Sequence, residues 1–230
     1  PLVSYTKLSP NHSGQRTHVV DRITPHCVVG QCSVETLGNI FAPTSRQASC
    51  QYGIGVDGRV GMYVEEKNRS WCSSSNANDQ RAITIECASD ATHPYAFNDT
   101  VYAKLIELCT DICKRYGKTK LLWFGDKTKT LNYEPASNEM VLTVHRWFAN
   151  KSCPGDWMYA RMGDLASKVT AKLGGSAGGT EKPADNQALY RVQTGAFSNK
   201  TNADAMLQKV KAAGFDTYMA VSYTHLTLPT

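Results

Sequence analysis

The chain has 230 residues, of which 41% are hydrophobic and 20% charged, with a formal net charge of +5 and a pI near 8.8. That length allows one medium domain and a small one, and the composition excludes a disordered or fibrous chain. The positive balance favours a polyanionic partner, but the basic residues are scattered and no aromatic–basic stripe appears, which argues against nucleic acid. No apolar run approaches the ~20 residues of a membrane span, so no membrane partner is expected. No signal peptide opens the chain, and because it begins at Pro1 rather than methionine an upstream piece is expected to lie outside it.

Residues 1–18 are polar and turn-prone (SPNHSGQRTH) and read as an irregular surface arm, with His12 and His18 solvated. Val19 to Val29 reads as a buried strand ending at His26, and Cys27, next along, turns to the opposite face for packing. Ser33 is the N-cap of a short helix carrying Val34, Leu37, Ile40 and Phe41, with Glu35 in its first turn. Val56–Val60 (VDGRV) predicts a hairpin through an Asp-Gly turn.

In NRSWCSSSNANDQRAITIECAS, Ser73 to Asp79 reads as a polar loop and Ala82 to Cys87 as a strand carrying Glu86. A carboxylate inside an apolar strand is costly unless it is paired or faces a polar cleft. Two readings of Glu86 follow: an ion-paired edge residue, or a proton acceptor in a site. Asn98-Asp99 caps a long helix whose stripe of Val101, Leu105, Leu108, Cys109, Ile112 and Tyr116 has core spacing, and Gly117 stops it. Lys120–Phe124 is a buried strand, Lys127–Glu139 a polar loop, and Asp156 caps a last helix with Met158, Met162, Leu165 and Val169 on one face.

The composition changes at Gly174, where GGSAGGTEKPADNQ has the glycine content of a flexible linker. Beyond it the pattern predicts a strand, a helix with a capping-box-like start at Thr201 and Asp204, and a second strand. The terminal SYTHLTLPT continues no amphipathic pattern and reads as a non-native scar, so His225 carries no weight.

The chemistry concentrates in TVHRWFANKSCPG, residues 143–155. His145 and Cys153 stand eight residues apart, with Lys151 two before the cysteine. Imidazole and thiolate are good zinc ligands, and a lysine near such an ion can steady a developing oxyanion. With His26 as a third ligand, one tetrahedral position stays open, the pattern of a catalytic zinc rather than a structural one. If Cys153 is a ligand, seven of the eight cysteines remain, an odd number that argues against complete intramolecular pairing. Cys109 and Cys113, four apart on a helix, read as small core residues. A disulfide-stabilised domain without metal would need Cys153 to be paired.

RITPHCVVG, AITIECAS, LTVHRWFA and NKSCPG occur in the order found in the zinc amidase family that includes phage lysozyme-amidases and peptidoglycan recognition proteins, and the resemblance covers residues 17–172. It implies an α/β fold, a mixed central sheet flanked by helices with a zinc cleft. It also implies hydrolysis of the amide joining N-acetylmuramic acid to L-alanine, with bacterial peptidoglycan as partner, the cell wall as place of action and a monomer as the working form. The implied roles are zinc ligation by His26, His145 and Cys153, general-base action by Glu86 and oxyanion stabilisation by Lys151. Trp71 and Asn78 are expected in the substrate groove. Some members place a catalytic tyrosine before the hairpin; Cys50 stands at that position here, and Tyr52, two residues on, is expected as a cleft wall. Members lacking the ligand cysteine bind wall fragments without cutting them, so a non-catalytic recognition module is the alternative. Gln193–Asn199 (QTGAFSN) resembles the start of a SPOR domain, a glycan-binding module. The expected division is therefore an amidase domain over 1–172, a linker over 173–187, a partial α+β SPOR-like domain over 188–221 and the scar over 222–230.

Overall fold

A computed structural model describes residues 2–174 and 197–212. The chain divides into two compact units, Pro1–Pro183 and Ala184–Thr230. The first opens with β1 (Val3–Thr6), β2 (His12–Gln15) and β3 (Arg22–Cys27), followed by α1 (Val34–Phe41) and the hairpin strands β4 (Tyr52–Ile54) and β5 (Val60–Met62). Next come β6 (Asn68–Ser70), α2 (Asn76–Arg81), β7 (Ala82–Cys87), α3 (Asp99–Arg115), β8 (Lys120–Leu122) and α4 (Lys127–Asn132). The unit ends with β9 (Glu139–Leu142), α5 (Asp156–Tyr159) and α6 (Met162–Lys172); α7 (Lys200–Ala212) belongs to the second unit.

Seven strands form one mixed sheet in the order β1-β5-β4-β7-β3-β9-β8. The five from β4 to β8 are mutually parallel, β5 turns back antiparallel to β4, and β1 runs parallel to β5. This is the expected α/β class. On one face Ile23, Ile83, Ile85 and Ile54 pack with Leu105, Leu108 and Ile112 of α3 and Leu165 and Val169 of α6, all essentially inaccessible. Each such side chain contributes about 1.5–3 kcal/mol by burial, so this layer dominates stability.

α3 follows its sequence pattern closely. The Asn98 side chain accepts from the Val101 N–H (2.8 Å), and Gly117 leaves the helix at φ +65°. Ser33 likewise caps α1 through the Thr36 N–H (3.2 Å). The hairpin closes with Gly55 N–H on the Arg59 carbonyl (2.9 Å) and Gly58 at φ +81°.

Four segments differ from expectation. The supposed N-terminal arm supplies two strands, β1 on the edge of the main sheet and β2 paired antiparallel with β6, because its alternating half-buried residues can join edges that already exist. The polar stretches 73–79 and 127–139 contain α2 and α4, nucleated by Ser75 and Asp126, whose side chains accept from Asn78 N–H and Lys129 N–H. The last helix is two, α5 and α6, broken at Ala160–Arg161, and Asp156 makes no capping hydrogen bond. Of the distal pattern, α7 is described and is capped by Asn199, which accepts from Thr201 N–H (2.8 Å); the two expected strands and the scar lie outside the described residues. No helix among the described residues is long and apolar enough to cross a membrane.

On the other face α1 covers the hairpin. Tyr63 is fully buried there with Leu37, Phe41 and Cys50, and its hydroxyl donates to the Val34 carbonyl (2.8 Å). The ring has room only because Gly53 and Gly61 face each other across β4 and β5. A Cβ on Gly61 would lie 2.2 Å from the Tyr63 hydroxyl oxygen, and one on Gly53 2.7 Å from its ring. Gly61→Ala is expected to lower the urea midpoint by the equivalent of about 1–3 kcal/mol, the usual cost of overpacking; an unchanged midpoint would show that the ring moves aside freely.

Candidate metal centre

β3 and β7 pair in parallel register, with Arg22 opposite Ala82, Thr24 opposite Thr84 and His26 opposite Glu86. Since side chains alternate along a strand, Arg22, Thr24, Thr84, His26 and Glu86 share the face away from α3. His26 and Glu86 stand at the carboxyl ends of their strands, where open α/β sheets hold ligands. The backbone of Thr143 continues the β9 pairing by donating to the Ile23 carbonyl (3.0 Å), and His145 begins a short 3-10 turn just beyond. Arg146 N–H donates to the Cys153 carbonyl (3.1 Å), folding the following loop back so that Cys153 lies beside the histidines. Trp147 anchors the turn by stacking on Trp123 with centroids 5.1 Å apart.

Thus His26, His145 and Cys153, far apart in sequence, bring one donor atom each within 4.8 Å of one another. Cys153 Sγ is 3.3 Å from His26 Nδ1, and the two imidazoles meet edge to face at 5.0 Å. Burial holds the His26 pKa well below the usual histidine range, with His145 adding to the effect. Burial also lowers His145, helped by the Lys151 cation nearby. Both rings are therefore neutral at neutral pH, with lone pairs available. Burial pushes the Cys153 thiol well up, assisted by Cys27 and Glu86, so a cation binding here displaces a proton. His26 Nε2 is buried with no hydrogen-bond partner.

Glu86 Oε1 lies 4.0 Å from His26 Nδ1, and the Cys72 thiol donates to it at 3.9 Å. Its Oε2 is buried without a partner, and burial pushes the carboxyl up to about 7, with Cys72 and Arg46 opposing. His26, Cys72 and Glu86 make a second cluster of potential donors that shares His26 with the first. Cys72 carries no ligand-like spacing in the sequence; only its place beside Trp71 at the head of the polar loop marks it. Asp79 fixes that loop, accepting from Cys72 N–H (3.1 Å), Ser73 N–H (3.1 Å) and the Ser73 hydroxyl (2.6 Å). The loop brings Ser74 to His145 Nε2 (3.0 Å).

The remaining sequence candidates are spread more widely. Lys151 is exposed on the loop before Cys153, close enough to His145 to affect its charge. Asn78 is fully buried beneath the cleft, where its amide donates to Thr24 Oγ1 (3.0 Å) and accepts from Thr143 Oγ1 (3.0 Å), while Thr24 and Thr143 bond each other (2.7 Å). Trp71 is partly buried and donates from its indole to Ser13 Oγ (2.6 Å). Tyr52 is not in the cleft. It pairs in register with Ile85, which puts it on the α3 face, and its hydroxyl donates to Glu66 (2.8 Å). All eight cysteines are free, Cys153 included, which removes the disulfide-stabilised reading.

The fold has counterparts among solved structures. A mutant endolysin from Bacillus subtilis is 12% identical with a TM-score of 0.52, the match covering 72% of this chain and 97% of that one. PlyL is 14% identical with a TM-score of 0.51, covering 72% and 95%. A selenomethionine derivative of AmpD is 19% identical with a TM-score of 0.50, covering 70% and 93%. At these identities the likeness is one of fold. No curated protein matches the chain. The SPOR domain model matches residues 186–226. The N-acetylmuramoyl-L-alanine amidase model matches residues 15–156, a span that holds every residue of the donor cluster and well over half of the chain, so this protein belongs to the N-acetylmuramoyl-L-alanine amidase family and acts as a peptidoglycan amidase.

Proposed function

We propose that the chain hydrolyses the amide between N-acetylmuramic acid and L-alanine with a zinc ion held by His26, His145 and Cys153. The observation that carries this is the meeting of two neutral imidazoles and a thiol at the carboxyl ends of the strands, within the span of the family match. The donor set suits zinc, a borderline-soft ion that takes nitrogen and sulfur ligands, and His26 Nδ1 faces the Cys153 sulfur at 3.3 Å. Zinc there supplies Lewis acidity toward the scissile carbonyl and the attacking water.

Glu86 acts as the base. With its carboxyl near 7 it can take a proton from water at neutral pH and return it to the departing amine of alanine as the C–N bond breaks. Lys151, exposed at the rim near His145, lends positive charge to the carbonyl oxygen as it becomes anionic. Asn78 holds the floor of the cleft through its bonds to Thr24 and Thr143 and lines the cavity beside it, where it can meet substrate. The recognition-module alternative is disfavoured by Cys153, present and turned toward the histidines. The segment matching the SPOR model supports a second contact with wall glycan, and both matches support action on the cell wall.

Purified protein is expected to carry about one zinc, as for a single three-ligand site, and His26→Ala or Cys153→Ala to lose it by metal analysis; stoichiometric zinc in both variants would refute the ligand set. Glu86→Gln keeps the shape but not the base. It should retain zinc while turnover of a soluble muropeptide falls by roughly two to four orders of magnitude, and near-normal turnover would remove Glu86 from the mechanism. Ending the chain after Gly174 should leave that turnover nearly intact, because the core and the donor cluster lie before it; loss of folding in the truncated form would contradict the division into 1–172, linker and distal module.

A further inference from the structure

Beside His145 the cleft continues into a cavity of about 490 Å³ whose lining includes Arg22, Arg81, Lys127, Ser75, Trp147 and Phe148. Ser74, also on its wall, bonds His145 Nε2, so this cavity borders the donor cluster. Its charge is one-sided. Arg81 is already committed, donating to both oxygens of Asp21 (2.9 and 3.1 Å from Nε) and lying 3.7 Å from Glu134. Arg22 is not. Only 5% of it is exposed, its one hydrogen bond is a 3.4 Å contact with Asn78 Oδ1, and no carboxylate among the described residues lies within ion-pair distance. Burial lowers its pKa, with Arg81 adding to the effect while Asp21 and Glu134 oppose it, as expected of a cation short of counter-charge. Lys127, at the start of α4, is exposed and has no ion pair among the described residues.

A buried guanidinium without an anion is expensive, and most of its five donors are left for something that enters the cavity. Its planar fork matches a carboxylate, which it can bind through two parallel hydrogen bonds. Trp147 and Phe148 give the same cavity apolar walls for the carbon chain that carries the anion. Arg22 stands four residues before His26 on the same face of β3, a separation of about 13 Å along the strand. That is the reach of about four residues of extended peptide.

We propose that Arg22 and Lys127 form a carboxylate-binding subsite for the peptide stem of the substrate. The inference rests on the amidase reading above and deepens it. In peptidoglycan the N-acetylated sugars are neutral once the lactyl group is joined to the peptide, so free carboxylates belong to the stem. The subsite therefore makes the enzyme select stems by their charge, at a distance from the bond that is cut.

The test compares a muropeptide whose stem carboxylates are free with the same compound fully amidated, measuring both calorimetric binding and hydrolysis. The wild-type protein is expected to favour the free acid by about tenfold or more, the scale of one charge-assisted interaction. In Lys127→Ala and in Arg22→Met that ratio should fall toward one, and Arg22→Lys should restore it in part. Lys127 is exposed, so its variant tests the subsite even if Arg22→Met fails to fold. Hydrolysis without discrimination by the wild type, or a ratio unchanged in Lys127→Ala and Arg22→Lys, overturns the subsite and leaves the amidase reading intact. Binding that prefers the free acid without hydrolysis supports the subsite and overturns the amidase reading. Binding of neither compound overturns both.

Discussion

The parallel register of β3 with β7 is the constraint on which the site depends. It sets His26 against Glu86 at one end and keeps Ile23, Ile83 and Ile85 together on the other face. Between the sheet and the cleft lies a closed polar ring. Asn78 donates to Thr24, Thr24 to Thr143, and Thr143 back to Asn78, so three buried side chains satisfy one another in the same cyclic arrangement. The ring ties together β3, the segment leading to His145, and α2 beneath the Ser74 loop. Every element that carries a donor is thus referenced to β3.

The electrostatics follow from the same burial. Low polarity around the cluster strips both histidines of their protons, keeps Cys153 from giving its own up and raises the Glu86 carboxyl to about 7, where it can exchange a proton at neutral pH. The resulting site is nearly uncharged while the chain around it is basic. A divalent cation would meet neutral ligands there, while Arg22 and Lys127 bring positive charge to the neighbouring cavity.

Much of this was legible in the residues. A glutamate in AITIEC needed a polar neighbour, and the strand register supplies one in His26. The helix stripe of α3 and the Asp-Gly turn were equally direct, because local spacing alone determines them. Tyr52 was misplaced because its face depends on which strand it pairs with, a tertiary fact: beside Ile85 it points into the core. Arg22 escaped notice since a cation at the start of an apolar strand looks like a solvated end until β7, β9 and α2 close around it. Short helices such as α2 and α4 fall below the length at which periodicity is informative, and only their caps, Ser75 and Asp126, could have marked them. The edge strands β1 and β2 have few residues and little apolar character, and they exist because β5 and β6 offer open backbone.

The alternation along β3 and β7 carries a consequence for folding itself. Sliding either strand by one position would drive Glu86 among the isoleucines packed on α3 and turn Ile85 toward water. A buried, unpartnered carboxylate is among the costliest errors a core can contain. The same holds for Arg22 at the other end of β3. The proposed base and the proposed subsite arginine therefore also penalise the wrong strand alignment, and the polar side of this sheet disfavours misfolding into a compact near-copy.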